Sequence, residues 1–237
     1  MVAGASVEPV SIVRNLGVYI DRDLGAAIHV CRTVSHCFAA LRQLRRLRCH
    51  VTKNCLRSLV VLLVHSRLDY SNFVFVRLPA YLQRRLQTIL NAAACLVFQL
   101  RRYEHMSDTL VILHWLHLPE RVNFKLVLMA KCWTVWRHHL YQLVPVSSLP
   151  GRSHLRSSFT LQLHIPLYRL STAGRRSFPA AASIFWNSLP DDVQSAPSIS
   201  SFRQQLNDIP VSPVISGHHS LNFRTMVSWT LQQFRMF

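Results

Sequence analysis

Arg42, Arg45, Arg46 and Arg48 crowd into seven consecutive positions, and Arg84 and Arg85 form a second basic pair further on. Guanidinium groups neutralise phosphates, release their counterions and fork onto two oxygens at once, without reading base sequence. Clustered arginines therefore point to the backbone of RNA or DNA. A solvated basic face has the same pattern. The charge balance gives the first reading weight: 27 Lys and Arg against 10 Asp and Glu leave a formal charge of +17, and only Lys53, Lys125 and Lys131 are lysines. Such a balance is hard to leave without an anionic partner. Arg101 and Arg102 add a further basic pair.

Other chemistries find little footing. Asp191-Asp192 is the one adjacent acidic pair, but it follows Leu189-Pro190 and reads as a helix start. The remaining carboxylates are scattered, whereas a two-metal site needs them paired. Thirteen histidines and six cysteines invite zinc, yet no C-x₂₋₄-C pair occurs. His36-Cys37, Cys49-His50 and His114/His117 lack a second ligand pair at structural-zinc spacing. No Gly-x-Ser-x-Gly elbow, P-loop or dinucleotide fingerprint is present. Trp115, Trp133, Trp136 and Trp186 could stack on bases, but their apolar neighbours at helical spacing mark them as core. No catalytic residue, metal, cofactor or small-molecule substrate is expected.

The elements that would position the arginines follow from periodicity. Val10–Ile20, apolar and β-branched, reads as a strand. Leu24, Ile28, Cys31, Val34, Phe38 and Leu41 recur at steps of three and four, an amphipathic helix that carries Arg42, Arg45 and Arg46 on its other side. Thr52 suits an N-cap, and Leu56–Val64 is apolar on nearly every side, as a central buried helix would be. Pro79 opens a helix with Leu82, Leu86, Ile89, Ala93, Leu96 and Leu100 inside. A short helix is expected over 107–113. Pro119 opens another helix, with Val122, Leu126, Met129, Trp133 and Trp136 as its stripe.

Proline usage then rises, from three in residues 1–144 to eight in 145–237, marking a more loop-rich part. Phe159, Leu161, Leu163 and Ile165 alternate as in a half-buried strand, with Tyr168–Thr172 a candidate partner. Phe178, Phe185 and Trp186 form an aromatic cluster, and Ser198 should cap a last helix with Ile199, Phe202 and Leu206 inside. The expected class is mainly α: a bundle of four to five helices, a short N-terminal strand, and a smaller mixed α/β C-terminal region. The divisions are 1–20, 21–144, 145–210 and a tail over 211–237.

Composition excludes several classes. At 50% hydrophobic residues the chain is too apolar for disorder. Its most apolar run, Leu59–Val64, falls far short of the roughly 20 residues a spanning helix needs, so no membrane partner is expected. The six cysteines form no C-x-x-C pair and read as reduced core residues.

Taken in order, several segments resemble the C-terminal, post-palm portion of a non-LTR (LINE-type, jockey-like) retrotransposon reverse transcriptase. They are Val13-Arg14-Asn15-Leu16-Gly17-Val18-Tyr19-Ile20-Asp21; Ser66-Arg67-Leu68-Asp69-Tyr70-Ser71-Asn72; Leu90-Asn91-Ala92-Ala93-Ala94; and Leu113-His114-Trp115-Leu116 with Pro119-Glu120-Arg121. The likeness continues through Arg176-Ser177-Phe178 to Trp186-Asn187-Ser188-Leu189-Pro190-Asp191-Asp192, and ends with Ser200-Ser201-Phe202-Arg203. The resemblance implies that 1–20 is a remnant strand following the palm and that 21–144 is a thumb-like bundle holding primer–template backbone. It implies RNA-directed DNA polymerisation as the family activity. The palm aspartates would lie upstream of Val13, where no aromatic-Ala-Asp-Asp turn is found, so this chain is expected to be inactive by itself. Lys131–Val144 and residues 211–237 depart from the family pattern. A translated remnant of a decayed element, without selected activity, is the alternative.

Overall fold

The computed structural model describes residues 10–70, 72–100, 106–135, 143–151, 161–170 and 174–208. Over these the chain is mainly helical, with one two-stranded antiparallel sheet near its N-terminus. Contacts divide it into two compact units, Met1–Arg101 and Arg102–Phe237. The helices read as one bundle over 21–144 are thus shared between both units. Arg101, Arg102, Trp136 and the 211–237 tail lie outside the described residues.

In the first unit, the single strand expected over Val10–Ile20 is instead a hairpin. Strands β1 (Ile12–Asn15) and β2 (Val18–Asp21) pair with Arg14 opposite Tyr19. Leu16 and Gly17 form the turn, with φ of 45° and 81°. A two-residue hairpin turn wants positive φ at both central positions, and Gly17 meets that demand without strain. Leu16 meets it with help: the Tyr70 hydroxyl donates to the Leu16 carbonyl at 2.7 Å. The run hides this turn because only one of its two central residues is a turn former.

Helix α1 (Ala27–Leu47) packs against α4 (Ala80–Phe98). Its buried side is His29, Val30, Thr33, Cys37, Ala40, Leu41 and Leu44. That is a correction to the expected stripe: Leu24 and Cys31 are exposed, and Val34 and Phe38 half-buried. Small residues dominate the true contact side, which lets the large α4 side chains pack closely. The α4 stripe is as read over Leu82, Leu86, Ile89, Ala93 and Leu96, all buried, but Leu100 lies past the end of the helix and is half-buried.

Helix α2 (Lys53–Val60) begins at Thr52, whose hydroxyl accepts from the Cys55 amide at 3.3 Å. It runs through a π-helical turn (Val61–His65) into α3 (Ser66–Tyr70). Leu56, Val60, Val61 and Val64 are buried, but Leu62 and Leu63 are 53% and 39% exposed. The expected all-round burial fails there, since the wider turn shifts which positions face inward.

The second unit holds α5 (Met106–Leu113), α6 (Leu118–Val135), α7 (Phe178–Asn187), α8 (Asp191–Gln194) and α9 (Ile199–Asp208). His114 takes a left-handed conformation (φ 56°) and the Trp115 amide reaches back to the Leu110 carbonyl at 2.8 Å, closing α5. On α6, Val122 and Leu126 are buried as expected, but Met129 is exposed while Val127 and Ala130 face inward. The Trp133 side chain lies outside the described residues.

Leu163 bridges Pro145: the Val146 amide donates to the Gln162 carbonyl and the His164 amide to the Val144 carbonyl; Ser171 and Thr172 of the expected partner segment lie outside the described residues. That bridge is the β pairing of this part among the described residues. Ser198 caps α9 by accepting from the Ser201 amide at 3.0 Å, and Asp191-Asp192 opens α8, both as read. Trp186 stacks on Phe202 of α9 at 5.8 Å.

Candidate nucleic-acid interface

Charge in the first unit is strongly segregated. Between Asp23 and Glu104 the sole carboxylate is Asp69, against thirteen arginines and lysines. Arg42, Arg45 and Arg46 stand exposed along the C-terminal half of α1, where the helix dipole favours cations. Arg48, just past the helix, is half-buried. Arg84 and Arg85 are exposed near the start of α4; Arg84 folds back onto the Ala80 carbonyl at 3.4 Å. Arg85 donates to the Cys31 sulfur at 3.1 Å, which ties it to the N-terminal half of α1. Cys31 and Arg42 are separated by about 16 Å of helix rise. The structure therefore brings the two predicted arginine groups onto one helix pair but not into one cluster.

A second basic site was not singled out by sequence reasoning. A cleft of about 580 Å³ opens between the hairpin, α1 and α3, and ten residues line it. Arg14 comes from β1, Arg32 from α1 and Arg67 from α3, and none of the ten is acidic. His29, Arg32, Thr33 and His36 recur at helical spacing, so α1 presents them on one side.

Tyr19 organises the arginines. The Arg32 guanidinium lies 4.1 Å from the Tyr19 ring centroid and donates to its hydroxyl at 3.0 Å, and Arg14 lies 5.7 Å from the same centroid. Cation–π contact fixes both forks without neutralising them. His29, stacked on Phe75 at 5.7 Å, is pushed below the ordinary imidazole range by burial. The three arginines carry charge at any physiological pH. The signal available in sequence was positional: Arg14 and Tyr19 sit in one of the family-like segments, Arg67 and Tyr70 in the next.

The six cysteines differ in burial. All six are free, but only Cys37 is buried; Cys31, Cys49 and Cys55 are exposed, correcting their reading as core residues. Burial pushes the Cys37 thiol up to about 11, offset in part by nearby Arg67. Among the described residues no group of three histidines, cysteines or carboxylates converges as a metal site, and no helix is long and apolar enough to cross a membrane.

Trp115 and Trp186 are buried, so neither offers a ring face to a base. Comparison with known proteins returns no matching family model, curated protein or solved structure.

Proposed function

We propose that this chain holds nucleic acid by its phosphate backbone, without reading sequence, as a thumb-like, post-palm part of a LINE-type, jockey-like reverse transcriptase. The observation that carries this reading is the row Arg42, Arg45 and Arg46, exposed on one helix within a stretch whose sole carboxylate is Asp69. Charges strung along a helix face match the strung-out phosphates of RNA or DNA. The ordered family-like segments supply the context. No chemical step is assigned to this chain, because no described constellation would perform one. The test is a salt titration of binding to labelled RNA and DNA. Micromolar binding with a steep negative log–log slope is expected, and replacing all three arginines by Ala should flatten that slope by about 0.7 per lost single-strand contact. An unchanged slope would sink the reading.

The remnant reading draws on a different observation. Leu62 and Leu63 are exposed on one helix, and every residue of β1 is exposed. Surfaces of this kind invite self-association. Size-exclusion chromatography separates the readings: a decayed remnant aggregates, whereas a monodisperse chain with cooperative unfolding contradicts it.

A further inference from the structure

We infer that the cleft between the hairpin, α1 and α3 is a binding site for a compact polyphosphate group, of the kind carried by a nucleoside triphosphate or an inositol polyphosphate. The inference does not rest on the nucleic-acid reading, because it concerns residues toward the other end of α1 and on β1 and α3.

Three observations carry it. Arg14, Arg32 and Arg67 reach one cleft from three separate elements, and no carboxylate lines it. Charges gathered around one small volume match an anion whose own charges are gathered, whereas the row on the far half of α1 matches an extended chain. The forks are also held in advance: Arg32 is bonded to Tyr19 and stacked on its ring, and Arg14 faces the same ring. A preorganised guanidinium loses less freedom on meeting an oxyanion. Finally, a volume near 580 Å³ falls in the range of small-ligand sites, and the wall adds the Tyr19 hydroxyl beside the arginines, whereas the Ser66 hydroxyl is already donated to the Leu62 carbonyl.

Because the Tyr19 hydroxyl accepts from Arg32, its own proton remains available to donate toward the cleft. The turn at Leu16-Gly17 is pinned by Tyr70, so the hairpin wall of the cleft keeps its position.

The experiment is isothermal titration of the full chain with inorganic tripolyphosphate, beside orthophosphate and ATP. Tripolyphosphate should bind more tightly than orthophosphate, and Arg32→Gln and Arg67→Gln should each weaken it by about tenfold or more, the scale of a lost charge-assisted hydrogen bond. Arg22→Ala, an exposed arginine outside the cleft, should leave it unchanged. Equal affinity for ATP and tripolyphosphate assigns the ligand to the polyphosphate alone; tighter ATP assigns it to a nucleotide. Affinity untouched at Arg14, Arg32 and Arg67, or weakened as much by Arg22→Ala, overturns the site. A mutation-free arm guards against misfolded variants: tripolyphosphate should protect Arg14, Arg32 and Arg67 from phenylglyoxal, read by mass spectrometry, while Arg22 stays reactive. Equal protection of Arg22 also overturns it.

Discussion

The two units treat their polar side chains in opposite ways. In the second, several polar side chains are turned inward onto backbone groups. Lys131, buried on α6, donates to the Gln194 and Ala196 carbonyls at 3.1 and 2.7 Å, beneath the Trp186 and Phe202 rings. Asn187 both accepts from and donates to the Leu163 backbone at 2.8 Å, and the Trp186 indole donates to the Leu161 carbonyl at 2.7 Å. Gln194 donates to the Trp186 and Leu189 carbonyls. In the first unit the arginines face outward or into an open cleft, and carboxylates to neutralise them are scarce. A polar group spent on the chain's own backbone specifies a fold; one held in place but left charged is available to a ligand. The difference is the ground on which the proposed binding is placed in the first unit.

The largest effect should come from breaking the inward network. Trp186→Ala removes a 1%-exposed ring together with its bond to the Leu161 carbonyl. The expected loss is about 4 kcal/mol, read as a fall in the urea midpoint. A loss under 1 kcal/mol would mean that the network is decorative.

High pH should push the two units in opposite directions. The Cys37 thiol rises from 9.0 to about 11 on folding, so the folded state holds the proton that the unfolded chain releases. That stabilisation is complete below pH 9 and is lost toward pH 11, up to about 2–3 kcal/mol. Lys131 is displaced downward by burial from 10.5. There the unfolded chain holds the proton more firmly, so stability rises as pH climbs toward 10.5. Thermal unfolding from pH 8 to 10.5 checks both signs. Cys37→Val should lose less than wild type over that range, and Lys131→Met should forgo the wild-type gain. Parallel shifts in the two variants would contradict the assigned causes.

A smaller effect is expected at the hairpin turn. Gly17 has φ 81°, and an added Cβ would meet the Tyr70 ring at 3.4 Å. Gly17→Ala should cost about 1 kcal/mol, measured by chemical denaturation. A neutral result would show that the turn is not tied to Tyr70.

Much of this was legible in the sequence. The mainly helical class, the α4 stripe, the Thr52 and Ser198 caps and the helix start at Asp191 follow from spacing and side-chain chemistry that act over a few residues. Two misreadings are local, the Leu16-Gly17 turn and the π-helical turn at Val61–His65; the others come from contacts made across long separations. The contact side of α1 is decided by how α4 packs, not by which α1 residues are most apolar. Leu163 pairs with Pro145 because Asn187 and Trp186, some 25 positions on, grip that segment from its other side. The arginine row could be read because its members are neighbours in sequence. The cleft could not, because Arg14, Arg32 and Arg67 meet only after the hairpin closes and the helix through the π turn runs past α1.

The contrast between units is tested most directly by removing equal charge from each and measuring RNA affinity across a salt series. One variant carries Arg42→Ala, Arg45→Ala and Arg46→Ala; the other carries Arg169→Ala, Arg175→Ala and Arg203→Ala in the second unit. The first should weaken binding by about tenfold or more near physiological salt and flatten the slope, with the second close to wild type. Equal weakening by both would show that net charge alone attracts RNA, contradicting the assignment of binding to the first unit.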